Sequence, residues 1–215
     1  MSGSSDADPR IERSRSLITA AAIKEFSVHG YIGASLDDVA KRAGVSKKTI
    51  YNVFRDKEQL FRDVAADSIR TAETYASRTA ETLLKVPEVE PHLREAIVEL
   101  AITVLTGQVV PIRRLVIGEI HRFPELAEEY YERAPGLVMR TLARVLARLD
   151  SSGELDVPDA HLASEHLAFL VLGPGMDRAL FQAPELMDVS VEGVEARAHA
   201  AFDAFLAIYL PKRST

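Results

Sequence analysis

Apolar residues recur at i, i+3 and i+4 along almost the whole chain, and nowhere does apolar–polar alternation last long enough to make a strand. That periodicity sets the fold class: an all-α protein of about nine helices, ended by glycines and prolines rather than joined by hairpins. The first helix is expected from about Pro9 to His29, stopped by Gly30, with an apolar face of Ile11, Leu17, Ile18, Ala21, Ala22 and Phe26. Ser35 caps a second helix that closes at Ala43-Gly44, and Ser46 caps a third. Asp56 with Gln59 forms a capping box for a long fourth helix, which runs to about Lys85 before "KVPEVEP" breaks it.

Beyond that break, helices are expected over about His92 to Thr106 and from Pro111 to "HRFPE". "LAEEYYERAPGLVMRTLARVLARL" reads as one helix or two, interrupted near Pro135-Gly136. "DSSGELDVPD" is a loop, Pro158 begins the penultimate helix, and the last covers about Val191 to Leu210. "GPG" at Gly173 to Gly175 should kink the penultimate helix, and its glycines would let another helix approach closely. The polar opening, residues 1–9, reads as a mobile tail without the apolar core of a signal peptide.

Leu36 to Phe54, "LDDVAKRAGVSKKTIYNVF", carries the most information about function. Leu36, Val39, Ala40 and Ala43 should be buried on one short helix, with Val45, Ile50, Val53 and Phe54 following. Ala40 is small where two helices must cross, and Gly44 sits in the turn. A helix-turn-helix needs that arrangement, because apolar residues lock the crossing while the second helix projects its other face. That face carries Lys48, Tyr51, Asn52 and Arg55, with Lys47 and Thr49 beside them. Lysines neutralise phosphates or reach guanine, asparagine pairs with adenine, and hydroxyls bond phosphate oxygens. Lys57, in the first turn of the fourth helix, adds a cation to a positive dipole end.

The distribution of charge agrees. The chain has a formal net charge of −6, yet its first 60 residues hold ten Lys and Arg against eight Asp and Glu, leaving −8 on the remainder. A polyanion-binding module ahead of an acidic body is the expected reading, with double-stranded DNA as the partner. Arg10, Arg13 and Arg15 either reach into a minor groove or simply begin a solvated helix.

"SLDDVAKRAGVSKKTIYNVFRDKEQLF", preceded by an amphipathic helix ending "FSVHGY", resembles the DNA-binding signature of the TetR family of transcriptional regulators. The resemblance implies a three-helix DNA-binding head over residues 10–56. It also implies a helical body over residues 57–215 that binds ligand and dimerises, with repression relieved by a small molecule. Carried over by position, Ser35 takes the place of a usual threonine at a phosphate. Lys47, Lys48, Thr49, Tyr51 and Asn52 lie on the recognition helix, and Lys57 is the fourth-helix phosphate contact. Lys48 stands where glycine or proline is often found, so base preference is not inherited. Val53 replaces a common histidine or tyrosine and removes one contact. "RRLVIGEIHRFPELAEEYYERAP" is similar to the body of AefR-like members.

A single such head has modest specificity, so a homodimer on paired half-sites is expected. Its surface is assigned to the last two helices: Leu162, His166, Phe169, Leu170, Gly173, Met176 and Leu180 on one, and Val194, Ala198, Ala201, Phe202, Phe205, Leu206 and Tyr209 on the other. The alternative is an ordinary intrachain core. For an unidentified small-molecule effector the candidates are Thr103, Gln108, Arg114, Glu119, His121, Tyr131, Met139 and Met176. Each of these also has a plainer role as core, surface pair or helix end.

Enzyme chemistry finds no motif. "HLASEH" spaces its histidines by five rather than four, and there is no HExxH, GxSxG, P-loop or Rossmann glycine pattern. No cofactor or metal is expected. A helical protein whose head has lost DNA binding is the other rival, against which Lys47, Lys48, Thr49, Tyr51 and Lys57 stand. The chain has no cysteine, which fits a reducing cytoplasm, and its longest apolar run, Leu167 to Leu172, is too short to cross a membrane.

Overall fold

A computed structural model describes residues 9–182 and 190–211. These form α1 (Pro9–Gly33), α2 (Leu36–Ala43), α3 (Lys47–Phe54), α4 (Lys57–Leu83), α5 (Val89–Thr106), α6 (Val109–Gly118), α7 (Pro124–Arg133), α8 (Pro135–Ser151), α9 (Ala160–Phe181) and α10 (Val191–Tyr209). The fold is all-α. The stretch left open between one helix and two is a pair, α7 and α8, split at Ala134 with Pro135 opening α8. The tail expected over residues 1–9 lies, as far as residue 8, outside the described residues. Among the described residues no single helix is long and apolar enough to cross a membrane.

The chain divides into two compact units. One comprises the described residues up to Asp67 together with Pro111–Glu128; the other comprises Ser68–Val110 and the described residues from Glu129 onward. The division therefore falls inside α4.

In the first unit, α1 is interrupted at Gly30, whose φ of 66° only glycine adopts without strain. Its buried face includes Ile18, Ala21, Ala22, Ile23 and Phe26; Ile11 and Leu17 are half exposed, so the buried stripe begins about two turns later than its residue types suggest. Leu36, Val39 and Ala40 of α2 and Ile50 and Phe54 of α3 are buried as expected, while Ala43, Val45 and Val53 are only partly covered. Gly44 closes α2 in the left-handed conformation at φ 68°, its N–H donating to the carbonyls of Ala40 and Lys41.

An aromatic cluster extends this unit beyond the helix-turn-helix. The Tyr31 and Phe61 rings lie 5.2 Å apart, Phe26 and Phe61 5.4 Å, and Phe123 stands 5.1 Å from Tyr31. The Tyr31 backbone N–H donates to Glu119 at 3.3 Å, and Arg62 donates to Glu125 at 2.7 Å. These contacts make residues 111–128 part of the first unit.

The second unit is built on α5, α8, α9 and α10, with α10 against α5 and α9, and α9 also against α5 and α8. Its core includes Leu93, Ile97, Leu142, Leu146, Leu167, Ala198, Phe202 and Phe205. A Cβ added to Gly175 would stand 2.7 Å from Leu105 Cδ1, so this glycine does admit a close neighbour. The α9 helix nevertheless runs unbroken through Pro174. Arg148 donates to the Leu83 and Val86 carbonyls, both at 2.6 Å, covering the frayed end of α4.

Candidate nucleic-acid interface

Two N-caps set the geometry. Ser35 is extended at φ −109° and ψ 130°, and its Oγ accepts the Asp37 N–H at 3.1 Å, which starts α2. Ser46 does the same for α3, accepting the Thr49 N–H at 3.0 Å, with the two hydroxyl oxygens 2.8 Å apart. Lys47 and Lys48 therefore occupy the first turn of α3. Cations at a helix N-terminus oppose the macrodipole, so the pair does nothing for helix stability. What it does is add charge where backbone N–H groups already attract anions.

Around α3 the faces separate cleanly. Ile50 and Phe54 are buried, whereas Lys47, Lys48, Asn52 and Arg55 are exposed and Tyr51 keeps 47% of its surface in solvent. Arg55 closes the helix at φ 60°, outside the regular helical region, with its N–H on the Tyr51 carbonyl. Thr49 is half-buried, its hydroxyl against the Ser46 cap.

The cations differ in what already holds them. Lys48 has no side-chain partner among the described residues. Lys47 Nζ donates to Asp37 Oδ2 at 2.8 Å, and that hydrogen bond holds its ammonium above the ordinary lysine pKa. Lys57 Nζ donates to the carbonyls of Ile32 and Ala34, at 3.1 and 2.9 Å, and lies 4.9 Å from the centre of the Tyr31 ring. It thus braces the corner between α1 and α2, a role its expected phosphate contact did not anticipate. Arg15 is likewise engaged, pairing with Asp63 and covering the Phe54 ring at 4.9 Å. Of the three N-terminal arginines, it is a brace between helices rather than an arm.

The expected dimer residues fall into two groups. On α9, Leu162, His166, Phe169 and Leu170 are exposed, Gly173 and Leu180 are partly exposed, and Phe169 shows 70% of its surface. Met176 is buried within the chain. On α10, Val194, Ala198, Phe202, Phe205 and Tyr209 are also buried by their own chain, and Ala201 and Leu206 are partly buried against the same core. Within the chain that stripe packs against α5 and α9, which is the alternative of an intrachain core. The solvent side of α10 instead carries Ala196, Ala200, Ala204 and Ile208.

The eight candidate ligand residues come from both units. Arg114, Glu119 and His121 belong to the first unit, and Thr103, Gln108, Tyr131, Met139 and Met176 to the second. Gln108, His121 and Tyr131 are exposed, and Glu119 is taken up by the Tyr31 N–H and by Arg122 at 3.4 Å. The second unit also buries hydroxyls outside that set, Ser68, Tyr130 and Thr141 among them. Ser68 and Tyr130 bond each other at 2.9 Å, while the Thr141 hydroxyl is fully buried with no hydrogen-bond partner among the described residues. Their signal was a polar residue interrupting an apolar stripe. Among the described residues no group of three His, Cys, Asp or Glu side chains could hold a metal ion.

Residues 18–64 match the family described as bacterial regulatory proteins, tetR family, and residues 91–211 match the AefR-like transcriptional repressor C-terminal domain. The chain belongs to the TetR family. Its head and body both carry the family's sequence pattern, and the protein is a DNA-binding transcriptional regulator rather than an enzyme. It is 36% identical over 74 residues to the uncharacterized HTH-type transcriptional regulator YhgD of Bacillus subtilis, covering 34% of this chain and 39% of that one. It is 24% identical over 155 residues to YezE of the same organism, covering 69% of this chain and 76% of that one. The chain thus spans about two fifths of the length of YhgD and three quarters of that of YezE.

Solved TetR-family structures share the fold. A regulator from Mesorhizobium loti superposes with a TM-score of 0.77 at 28% identity, over 95% of this chain and 100% of that one. The flavonoid-responsive regulator FrrA gives 0.60 at 28% identity, over 94% and 100%. Regulators of this family bind operator DNA and are typically dimers.

Proposed function

We propose that this TetR-family protein is a homodimeric cytoplasmic repressor, released from its operator by a small, mostly apolar ligand bound in the body. One observation carries the DNA-facing part: the exposed side of α3 concentrates Lys48, Tyr51 and Asn52 while its other side is buried. Ser35 and Lys47 complete the contact set at the two helix starts, and Thr49 orients the first turn of α3. Lys57 contributes by holding the corner on which α2 is mounted.

The dimer forms through the exposed stripe Leu162, His166, Phe169, Leu170 and Gly173 of α9, together with the alanine side of α10. Phe169, with 70% of its surface in solvent beside exposed Leu170, is the kind of side chain that marks an interaction surface. Phe169→Glu should raise the dimer dissociation constant by about a hundredfold or more, since the same ring is lost on both sides of a two-fold axis. Sedimentation at several protein concentrations measures it.

The ligand belongs in the second unit, where Ser68, Tyr130 and Thr141 offer hydroxyls inside an apolar core. The description of FrrA as flavonoid-responsive supports a small-molecule effector. Ligand favours a state in which the two recognition helices no longer match the groove spacing, with a coupling of about 1–3 kcal/mol. Titration of the dimer on its operator with a panel of small aromatic and apolar compounds tests this. An effective ligand should weaken DNA binding about 5- to 150-fold. A body that binds ligand with no change in operator affinity refutes release.

A further inference from the structure

The ion pair between Lys47 and Asp37 joins the first turns of α3 and α2 at 2.8 Å. Its side chains are 46% and 67% exposed, so it contributes little to holding the head together. Yet it lies on the two helix starts where anions are most attracted. Asp37 puts a negative charge in the first turn of α2, where it already receives the favourable dipole field. The same carboxylate takes a hydrogen bond from one of the two lysines at the start of α3. Asp38 sits beside it in the same turn, exposed, without a side-chain partner among the described residues. One acid is therefore coupled to a recognition-helix cation and its neighbour is not.

We infer that Asp37 is an internal competitor for DNA phosphate, an affinity-setting residue that occupies Lys47 and so keeps operator binding weaker than the head's cations alone would make it. A phosphate approaching Lys47 must displace or share with a carboxylate that is already within hydrogen-bond distance. The lysine then releases fewer counterions from DNA than a free one would. Lys48, one residue further along α3 and without a side-chain partner among the described residues, is open to the duplex. The inference rests on the DNA-binding reading of the head and adds to it the division of labour between adjacent lysines.

Asp37→Asn tests it in the full-length dimer, with Asp38→Asn as the charge-matched control. Each neutralised phosphate steepens the fall of log K with log salt by about 0.9, equivalent to about eightfold in affinity at 0.1 M monovalent salt. Asp37→Asn should therefore tighten binding to a duplex by up to about eightfold per head at 0.1 M salt, with a steeper salt dependence. Asp38→Asn should change the slope much less, because it removes the same charge without releasing a lysine. Unchanged or weaker binding by Asp37→Asn, or equal slopes for the two variants, overturns the inference. If the wild-type protein itself shows no salt-dependent DNA binding, the reading of the head fails first and this inference goes with it.

Discussion

Alanine at both Lys48 and Tyr51 should weaken operator binding by at least about a hundredfold. A well-placed side-chain contact to DNA is worth about 1–3 kcal/mol, and two are lost from each head of the dimer. The choice of residues follows from what each cation already does. Lys47 is held by Asp37 and Lys57 by two backbone carbonyls, so removing either would mix lost DNA contacts with disturbed local structure. Lys48 has no such partner, and Tyr51 is half exposed on the same helix surface. Neither substitution opens a cavity or orphans a buried group, so the thermal midpoint should stay within about 3 °C of wild type. Fluorescence anisotropy on the promoter fragment upstream of the gene, with a melt on the same samples, measures both quantities. Undiminished binding would remove the foundation of the functional reading.

The head was legible because a helix-turn-helix is a local object. Ala40 at the crossing, Gly44 in the turn and the apolar positions on either side all fall within one short segment, and each has a direct physical meaning. The same sequence did not reveal that Lys57 braces the α1–α2 corner or that Phe123 packs on Tyr31. Those contacts join segments far apart in the chain, and no periodicity reports them. Ile11 and Leu17 show a further limit: their residue types extend an apolar face, but about half of each stays in solvent and full burial begins at Ile18.

The body shows where periodicity stops being enough. A stripe of Val194, Ala198, Phe202, Phe205 and Tyr209 says that something apolar covers α10, but it cannot say whether that is the same chain or a second copy. The two surfaces ask for the same residue types, and burial within the chain shows only that the large side chains of α10 point inward while Ala196, Ala200 and Ala204 point outward. Polar residues that interrupt an apolar stripe, Ser68, Tyr130 and Thr141 among them, are a different kind of signal, since a buried polar group needs a partner.

Phe202→Ala tests that division of α10 directly, and its expected effect is on folding. The ring is fully buried, lies 6.3 Å from Phe205 between centroids, and is covered by the Arg94 guanidinium at 4.7 Å. Arg94 is itself fixed by Asp203 at 2.7 Å and Glu90 at 3.0 Å, so it cannot collapse into the space without giving up those pairs. Removing a large aromatic side chain from such a site should cost about 3–5 kcal/mol, the transfer term plus the unfilled cavity. That is a large share of the roughly 5–15 kcal/mol that keeps a typical domain folded. Denaturant titration at fixed protomer concentration should show an earlier midpoint, because coupled dimerisation makes stability depend on concentration. Folded Phe202→Ala should still sediment as wild type does, in contrast to Phe169→Glu, which should dissociate with little loss of protomer stability. If instead Phe202→Ala yields stable monomers at an unchanged midpoint, the large side chains of α10 face a partner after all, and the core of this unit has been assigned to the wrong side of the helix.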